Sequence, residues 1–248
     1  MRKLSQHVVY ADALGFTKPI DVHKEKLTVT ANNMSLKTVA SSPFSSIDFS
    51  WLPYAAKEYH ISPNADDYVL VPVIVMPSEL PNRNGVGFPL KSLLEWSVDH
   101  GAQAYKTFNG KPVHVEHDNL DPTKAIGVIV DSSLKLLSGF GQGKVYKLVL
   151  LLAIDRTKDP ARAQQILIGK HNAYSMGAYV GSYSCSYCGS PAGQCAHINL
   201  SRPLDFYVLD GKLVYRRVHN IVGFECSSVE TPAYLSAISD TLVPLWSN

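Results

Sequence analysis

Between residues 68 and 229 the chain returns again and again to short apolar runs rich in β-branched residues, and it changes to helical spacing only twice. That pattern limits the fold to one built mainly of strands. Two runs are the strongest. Residues 68–76 read Tyr-Val-Leu-Val-Pro-Val-Ile-Val-Met, and residues 143–154 carry Val145, Leu148, Val149, Leu150, Leu151, Leu152 and Ile154. The second predicts a long buried strand; Pro72 in the first cannot donate to a ladder, so that run belongs at an edge or a bulge. Further strands are expected over 111–118, 125–130, 173–180 and 219–229. A hairpin is expected over 206–215, with Asp210-Gly211 as its turn. Leu90, Leu93 and Leu94 follow helical spacing and predict a helix over 89–100 with Pro89 in its first turn. Asp159-Pro160 reads as an N-cap and first residue of a second helix that carries Ala163, Ile166 and Leu167 and stops near Gly169. The expected class is mostly β with flanking helices (α+β): a curved antiparallel sheet or barrel with helices packed outside.

A chain of 248 residues with 46% hydrophobic content can bury one large core. Residues 1–65 stand apart from it. Their pattern is mixed, with a strand expected at 26–30 and a Ser/Pro-rich piece at 41–46, and they carry no recognisable chemistry. Lys and Arg number 23 against 21 Asp and Glu, so the net charge of +2 gives no sign of a polyanion-binding protein. The first residues lack the apolar segment of a signal peptide and no run is long enough to span a bilayer, so a soluble, intracellular protein is expected. Three of the four cysteines, Cys185, Cys188 and Cys195, fall close together beside His197. Three thiolates and an imidazole make a closed tetrahedral Zn²⁺ site, which suits a structural role because no position is left for water.

Read with period two, residues 173–180 point Ala173, Ser175, Gly177 and Tyr179 to one face. Ser175 thus sits on a rigid element, and Gly177 leaves room there for an extended peptide to approach. A serine hydroxyl needs a base to take its proton and a third group to orient that base. His117 and Glu225 can fill those roles from two other strands. Alternation sends Val113, Val115 and His117 to one face of their strand and His114 and Glu116 to the other, and it sets Glu225 on one face with Ile221 and Gly223. Taken singly, each of the three has an ordinary reading as a strand serine, a hydrogen-bonded histidine or a solvated carboxylate.

Their order along the chain resembles a family. His117-Asp118 ends one strand, Ile126-Gly127-Val128 opens the next, a helix leads into Tyr174-Ser175-Met176-Gly177, and Phe224-Glu225-Cys226-Ser227 is followed by Pro232-Ala233. This looks like the prohead maturation proteases of tailed bacteriophages, which share a fold with the herpesvirus assembly protease, over roughly residues 68–238. The resemblance implies a serine endopeptidase with Ser175 as nucleophile, His117 as general base and Glu225 as the acidic third member. The family usually writes the last segment Glu-Val-Ser, so Cys226 is a small departure that leaves the carboxylate in place. It implies a protease domain over 66–240 with a Cys-rich insertion at 183–200, and a tail at 241–248. A similar Cys-rich insertion occurs in some proteases of this type, giving Cys185, Cys188, Cys195 and His197 as ligands of structural zinc. The implied substrates are capsid and scaffold or core proteins and the protease itself, cut after glutamate with a small residue two positions earlier. Ser228-Val229-Glu230 has that form, and Ser78-Glu79 has it in part. The implied place of action is the assembling prohead in the host cytoplasm, with no membrane or nucleic-acid partner and homo-oligomerisation left open.

Two other classes compete. His114-Val115-Glu116 with Cys185-x-x-Cys188 resembles the halves of a zinc nucleobase deaminase. Ser184 stands where that motif has proline, and Cys195 and His197 would close the open metal position that catalysis needs. The other alternative is a non-catalytic scaffold or capsid-core protein, or a zinc-knuckle binding module, on a protease-like fold.

Overall fold

The computed structural model describes residues 50–137, 144–198 and 206–237. The expected strand at 26–30, the Ser/Pro-rich piece and the 241–248 tail lie outside them. Seven strands form one sheet in the order β1 (Tyr68–Pro77), β7 (Val145–Asp155), β6 (Gly127–Leu137), β5 (Pro112–Val115), β11 (Arg216–Ser228) and β2 (Val86–Gly87), with β8 (Tyr174–Cys185) paired to β11. Two small hairpins stand outside it, β3 (Trp96–Ser97) with β4 (Ala102–Gln103) and β9 (Tyr207–Leu209) with β10 (Lys212–Val214).

Among the described residues the α-helices are α1 (Leu52–Tyr59), α2 (Leu90–Leu94) and α3 (Pro160–Leu167). Among the described residues no helix is long and apolar enough to cross a membrane.

Both faces of the β1–β7–β6 region are covered, which is why these strands read as unbroken apolar runs. On one face Val69, Val71, Val73, Leu150, Leu152 and Ile154 join Phe108, Ile166 and Tyr174 in the main core. On the other, Tyr68, Leu70, Val128, Val130, Leu151 and Ala153 pack with Trp51, the N-cap of α1, and with Leu52, Ala55 and Tyr59 of the helix. The helix falls within 1–65, where no helix was expected. Its Leu52, Ala55 and Tyr59 do keep helical spacing, and the sheet supplies the apolar face they need. β1 forms an end of the sheet, and its register to β7 shifts between Ile74 and Met76. Pro72 therefore occupies an edge strand that also bulges.

Three expectations are corrected. The sheet is mixed and is neither closed nor curled into a barrel. β11 runs parallel to β5 and to β2 while pairing antiparallel to β8. The helix expected over 89–100 is only five residues long, and Pro89 is its N-cap. Glu95 is already extended, and the following residues turn through Gly101 (φ 57°) to pair Trp96 with Gln103. The other helix matches its signals. Asp159 Oδ1 accepts the Arg162 N–H at 2.9 Å, Pro160 opens the helix, and Gly169 follows it with φ 72°. The Asp210-Gly211 turn of β9–β10 has both residues at positive φ, as a two-residue hairpin requires.

Gly127 and Val128 are the β6 residues paired to both β5 and β7, and Gly127 faces Val113 and Ile154. A Cβ there would lie 2.1 Å from the Ala153 carbonyl oxygen, a backbone atom that cannot move aside. Gly127→Ala is expected to lose about 1–3 kcal/mol of stability from overpacking, read as a lower denaturant midpoint at unchanged slope. An unchanged midpoint would contradict the packing described.

Candidate functional site

Three strands meet at one row of the sheet. Ser227 of β11 is paired with Ser175 of β8 on one side and with His114 of β5 on the other. Two residues back, Glu225 is paired with Gly177. Cys226 and Val113 point into the main core, so Ser175, Gly177, Glu225, Ser227 and His114 occupy the opposite face.

A β-bulge at Phe224 places Glu225 on this face. The β8–β11 register slips by one between Gly223 and Glu225. Ile221 belongs to the main core, and a Cβ on Gly223 would strike the Phe108 ring at 2.4 Å. Glu225 therefore faces away from Ile221 and Gly223, where strict alternation had grouped all three. One extra residue reverses the side that the rest of the strand presents.

His117 arrives by a second irregularity. β5 ends at Val115, and Glu116 and His117 both take left-handed conformations, φ 49° and 59°. The chain folds back, and the His117 ring reaches the face that carries His114, contrary to the alternation reading. Nδ1 lies 2.7 Å from Glu225 Oε1. An ionised carboxylate only accepts, so Nδ1 carries the proton and Nε2 of the neutral ring holds the free lone pair. The hydrogen bond to Glu225 raises the His117 pKa above the ordinary histidine value, against partial burial that lowers it.

Glu225 is fully buried, and each of its oxygens has a donor. Oε1 accepts from His117, and Oε2 accepts from the Ser227 hydroxyl at 2.6 Å. A buried carboxylate without such partners would be strongly disfavoured. Gly177 makes room for it: a Cβ at 177 would come within 2.7 Å of Glu225 Oε1 and 2.4 Å of the Phe224 ring. The space above Gly177 is thus filled by Glu225 and Phe224, and the expected opening for a peptide is not found there. Ser175 is 8% exposed and sits across from Ser227; among the described residues no hydrogen bond joins its hydroxyl to the His117 ring.

His114 is a poor competitor for the role of base. Only 1% of it is exposed, neither ring nitrogen has a partner, and burial lowers its pKa. Cys226 is wholly buried and its thiol is pushed well above the usual value by burial, so it behaves as a core filler. Ser227 closes the quoted Glu225-Cys226-Ser227 segment, but the sequence reading gave it no role. The available signal was its i, i+2 relation to Glu225, which puts the two on one strand face.

The second constellation lies at the far end of the same strand pair, where Cys185 faces Arg216. The ligand atoms of Cys185, Cys188, Cys195 and His197 all lie within 4.8 Å of one another. His197 Nδ1 is buried without a hydrogen-bond partner, and all four cysteines are free thiols. An orphaned imidazole nitrogen among three thiols is the donor set of a closed tetrahedral site, so the cluster could hold a metal such as zinc. Hydrogen bonds from the Ser190 hydroxyl and backbone, then from His197, lower the Cys188 pKa to about 6, which favours its thiolate form. Around the cluster Cys185, Ile198 and Val214 form a separate small core, with Tyr187, Cys195 and Leu209 against it.

Ten residues of β8 separate Ser175 from Cys185, about 30 Å of extended strand. His114 lies at the Ser175 end. His114 and Glu116 therefore cannot share a metal with Cys185 and Cys188, which removes the geometry of the deaminase reading.

No family model, no curated protein and no solved structure matches this chain.

Chelation tests the metal centre apart from any activity. Metal present at about a hundred times its dissociation constant stabilises by about 2.7 kcal/mol, or very roughly 5–10 °C of Tm for a domain of this size. A chelator is expected to lower Tm by that order in the wild type and to do nothing to Cys195→Ser. Elemental analysis should find about one metal ion per wild-type chain, by the closed four-ligand site.

Proposed function

We propose that this chain is a serine endopeptidase of the prohead maturation type, with Ser175 as nucleophile, His117 as general base and Glu225 as the group that orients His117. The observation carrying the reading is the 2.7 Å hydrogen bond from His117 Nδ1 to a fully buried Glu225, formed two residues along β11 from the position opposite Ser175. A buried carboxylate tied to one ring nitrogen of a half-exposed histidine is an expensive arrangement with an evident use. It holds Nε2 as the acceptor and stabilises the ring once that nitrogen is protonated.

In the proposed reaction the Ser175 hydroxyl closes on His117 Nε2 as substrate binds, since catalytic hydrogen bonds often tighten only in the complex. Oγ attacks the scissile carbonyl carbon while its proton passes to Nε2. The tetrahedral intermediate collapses to an acyl-enzyme, and Nε2 returns the proton to the departing amine. Water, deprotonated by the same nitrogen, then releases the acid product.

Substrates in this proposal are capsid and scaffold or core proteins met inside an assembling prohead, cut after glutamate. The proposed kinship of fold with the herpesvirus assembly protease rests on the order of the motifs and not on closure of the sheet. Self-cleavage after Glu230 is disfavoured in the folded chain. Ser228 and Val229 are buried, and the Glu230 N–H donates to Glu116 Oε1 at 2.7 Å. The end of β11 would have to leave the sheet to be cut.

Wild type and Ser175→Ala, incubated with a capsid or scaffold precursor and followed by fragment masses, test nucleophile and specificity together. Wild type should cut after glutamate, and the variant should be inactive with an unchanged melting curve. Cleavage by Ser175→Ala at the wild-type rate would falsify the assignment. The reacting histidine must be neutral, and Glu225 raises its pKa. The kcat/KM of wild type should therefore fall as pH drops through a midpoint above the ordinary histidine value of about 6.5. Glu225→Gln should move that midpoint down and lower the plateau; an unmoved midpoint would remove Glu225 from its role.

A further inference from the structure

We propose that Ser227 is a positioning residue of this site, whose hydroxyl fixes the carboxylate of Glu225 and clamps the turn carrying His117 to the sheet. The inference rests on the endopeptidase reading and adds a residue to it.

One hydroxyl makes both contacts. Ser227 Oγ donates to Glu225 Oε2 at 2.6 Å and accepts the backbone N–H of His117 at 3.2 Å. Ser227 is fully buried, so no solvent competes for either bond. Its single proton is committed to Glu225, and a lone pair is committed to His117. The first bond stops the carboxylate from swinging about its last torsion and so keeps Oε1 aimed at the ring. The second holds a non-glycine residue at φ 59°, a conformation that does not persist without support. Ring and carboxylate are thereby set against each other through one side chain, and the same side chain stands directly across from Ser175.

Removing the hydroxyl leaves Oε2 of a buried carboxylate and the N–H of His117 without these partners. Glu225 can then turn, and the bond to Nδ1 loosens. The groups that face the His117 ring are Glu225 from β11, Glu116 from its own turn and His114 from β5. Of these only Glu225 is held by Ser227, so the effect on His117 runs through that carboxylate.

The test compares Ser227→Ala, Ser227→Thr and wild type in the full chain. Cleavage of a capsid or scaffold precursor is measured over pH. The His117 ring proton is titrated by NMR in the Ser175→Ala background, where no self-cleavage occurs. A hydrogen bond to a charged group is worth enough that Ser227→Ala should lower kcat about ten- to hundredfold. KM should change little, and the His117 midpoint should move down. Threonine keeps the hydroxyl and should restore both. If Ser227→Ala does not fold, Ser227→Cys, of similar size and a weak donor, should shift both readouts in the same direction. The proposal is overturned if Ser227→Ala keeps the wild-type midpoint, or if Ser227→Thr folds and restores nothing, since packing alone would then explain the loss. If wild type cuts no precursor, the endopeptidase reading falls, and the NMR midpoint still decides whether Ser227 positions the His117–Glu225 pair.

Discussion

The antiparallel pairing of β8 with β11 is the constraint on which both sites depend. Its register sets Ser175 opposite Ser227 and Gly177 opposite Glu225, and at the other end it sets Cys185 opposite Arg216. A slip of one residue would turn Ser175 into the core and bring Tyr174 or Met176 to the site face. Two features resist that slip. Tyr174, wholly buried, and Cys226 anchor one end in the main core, and the Cys185 cluster with its small hydrophobic core ties down the other. A metal there would act on the candidate active site only through this ladder, by holding its register. Its chemistry is too distant to act directly.

Within that frame the buried carboxylate is the costliest component. Removing a carboxylate from water is repaid only when every oxygen finds a donor. Glu225 meets the condition with one imidazole and one hydroxyl, both of which serve the geometry of the site. The arrangement couples stability to orientation, because the donors that make the burial tolerable are the same ones that aim the ring. The Phe224 bulge makes it feasible. Without the extra residue, Glu225 would share the core-directed face of Ile221 and Gly223, away from His117 and Ser227.

Much of the fold was legible because its signals are local. The apolar run through Leu148 and Leu152, the proline at position 72, the Asp159-Pro160 cap and the Asp210-Gly211 turn each report on their own few residues, and each has its expected place. What sequence could not supply was anything decided by pairing across the sheet. The parallel approach of β5 to β11, the open form of the sheet and the bulge at Phe224 all depend on partners distant in the chain. The candidate site shows the same division. Residue types and order pointed to Ser175, His117 and Glu225, yet the faces derived from strict alternation were wrong for His117 and Glu225, because a turn and a bulge each break period two. The Cys185, Cys188, Cys195 and His197 cluster was readable because its spacing alone brings the donors near one another.

The turn at Glu116 and His117 draws these threads together. Two successive non-glycine residues at positive φ cost about 1–3 kcal/mol each, so something must hold them. The Glu116 N–H donates to the Ser228 carbonyl at 3.0 Å, and Glu116 Oε1 accepts from the Glu230 N–H. His117 is held at its backbone by Ser227 and at its ring by Glu225. All four partners lie in a single short stretch of chain, from Glu225 to Glu230. The Asp118 N–H also donates to the Val115 carbonyl at 3.0 Å within the turn, and the end of β11 supplies the contacts from outside it. That segment contains the glutamate-bearing tripeptide Ser228-Val229-Glu230, so cutting after Glu230 would free the chain end beside the anchors of the histidine turn. Two of the four contacts, through the Ser228 carbonyl and the Glu230 N–H, belong to this tripeptide, so its release would loosen the turn that presents His117 to Glu225.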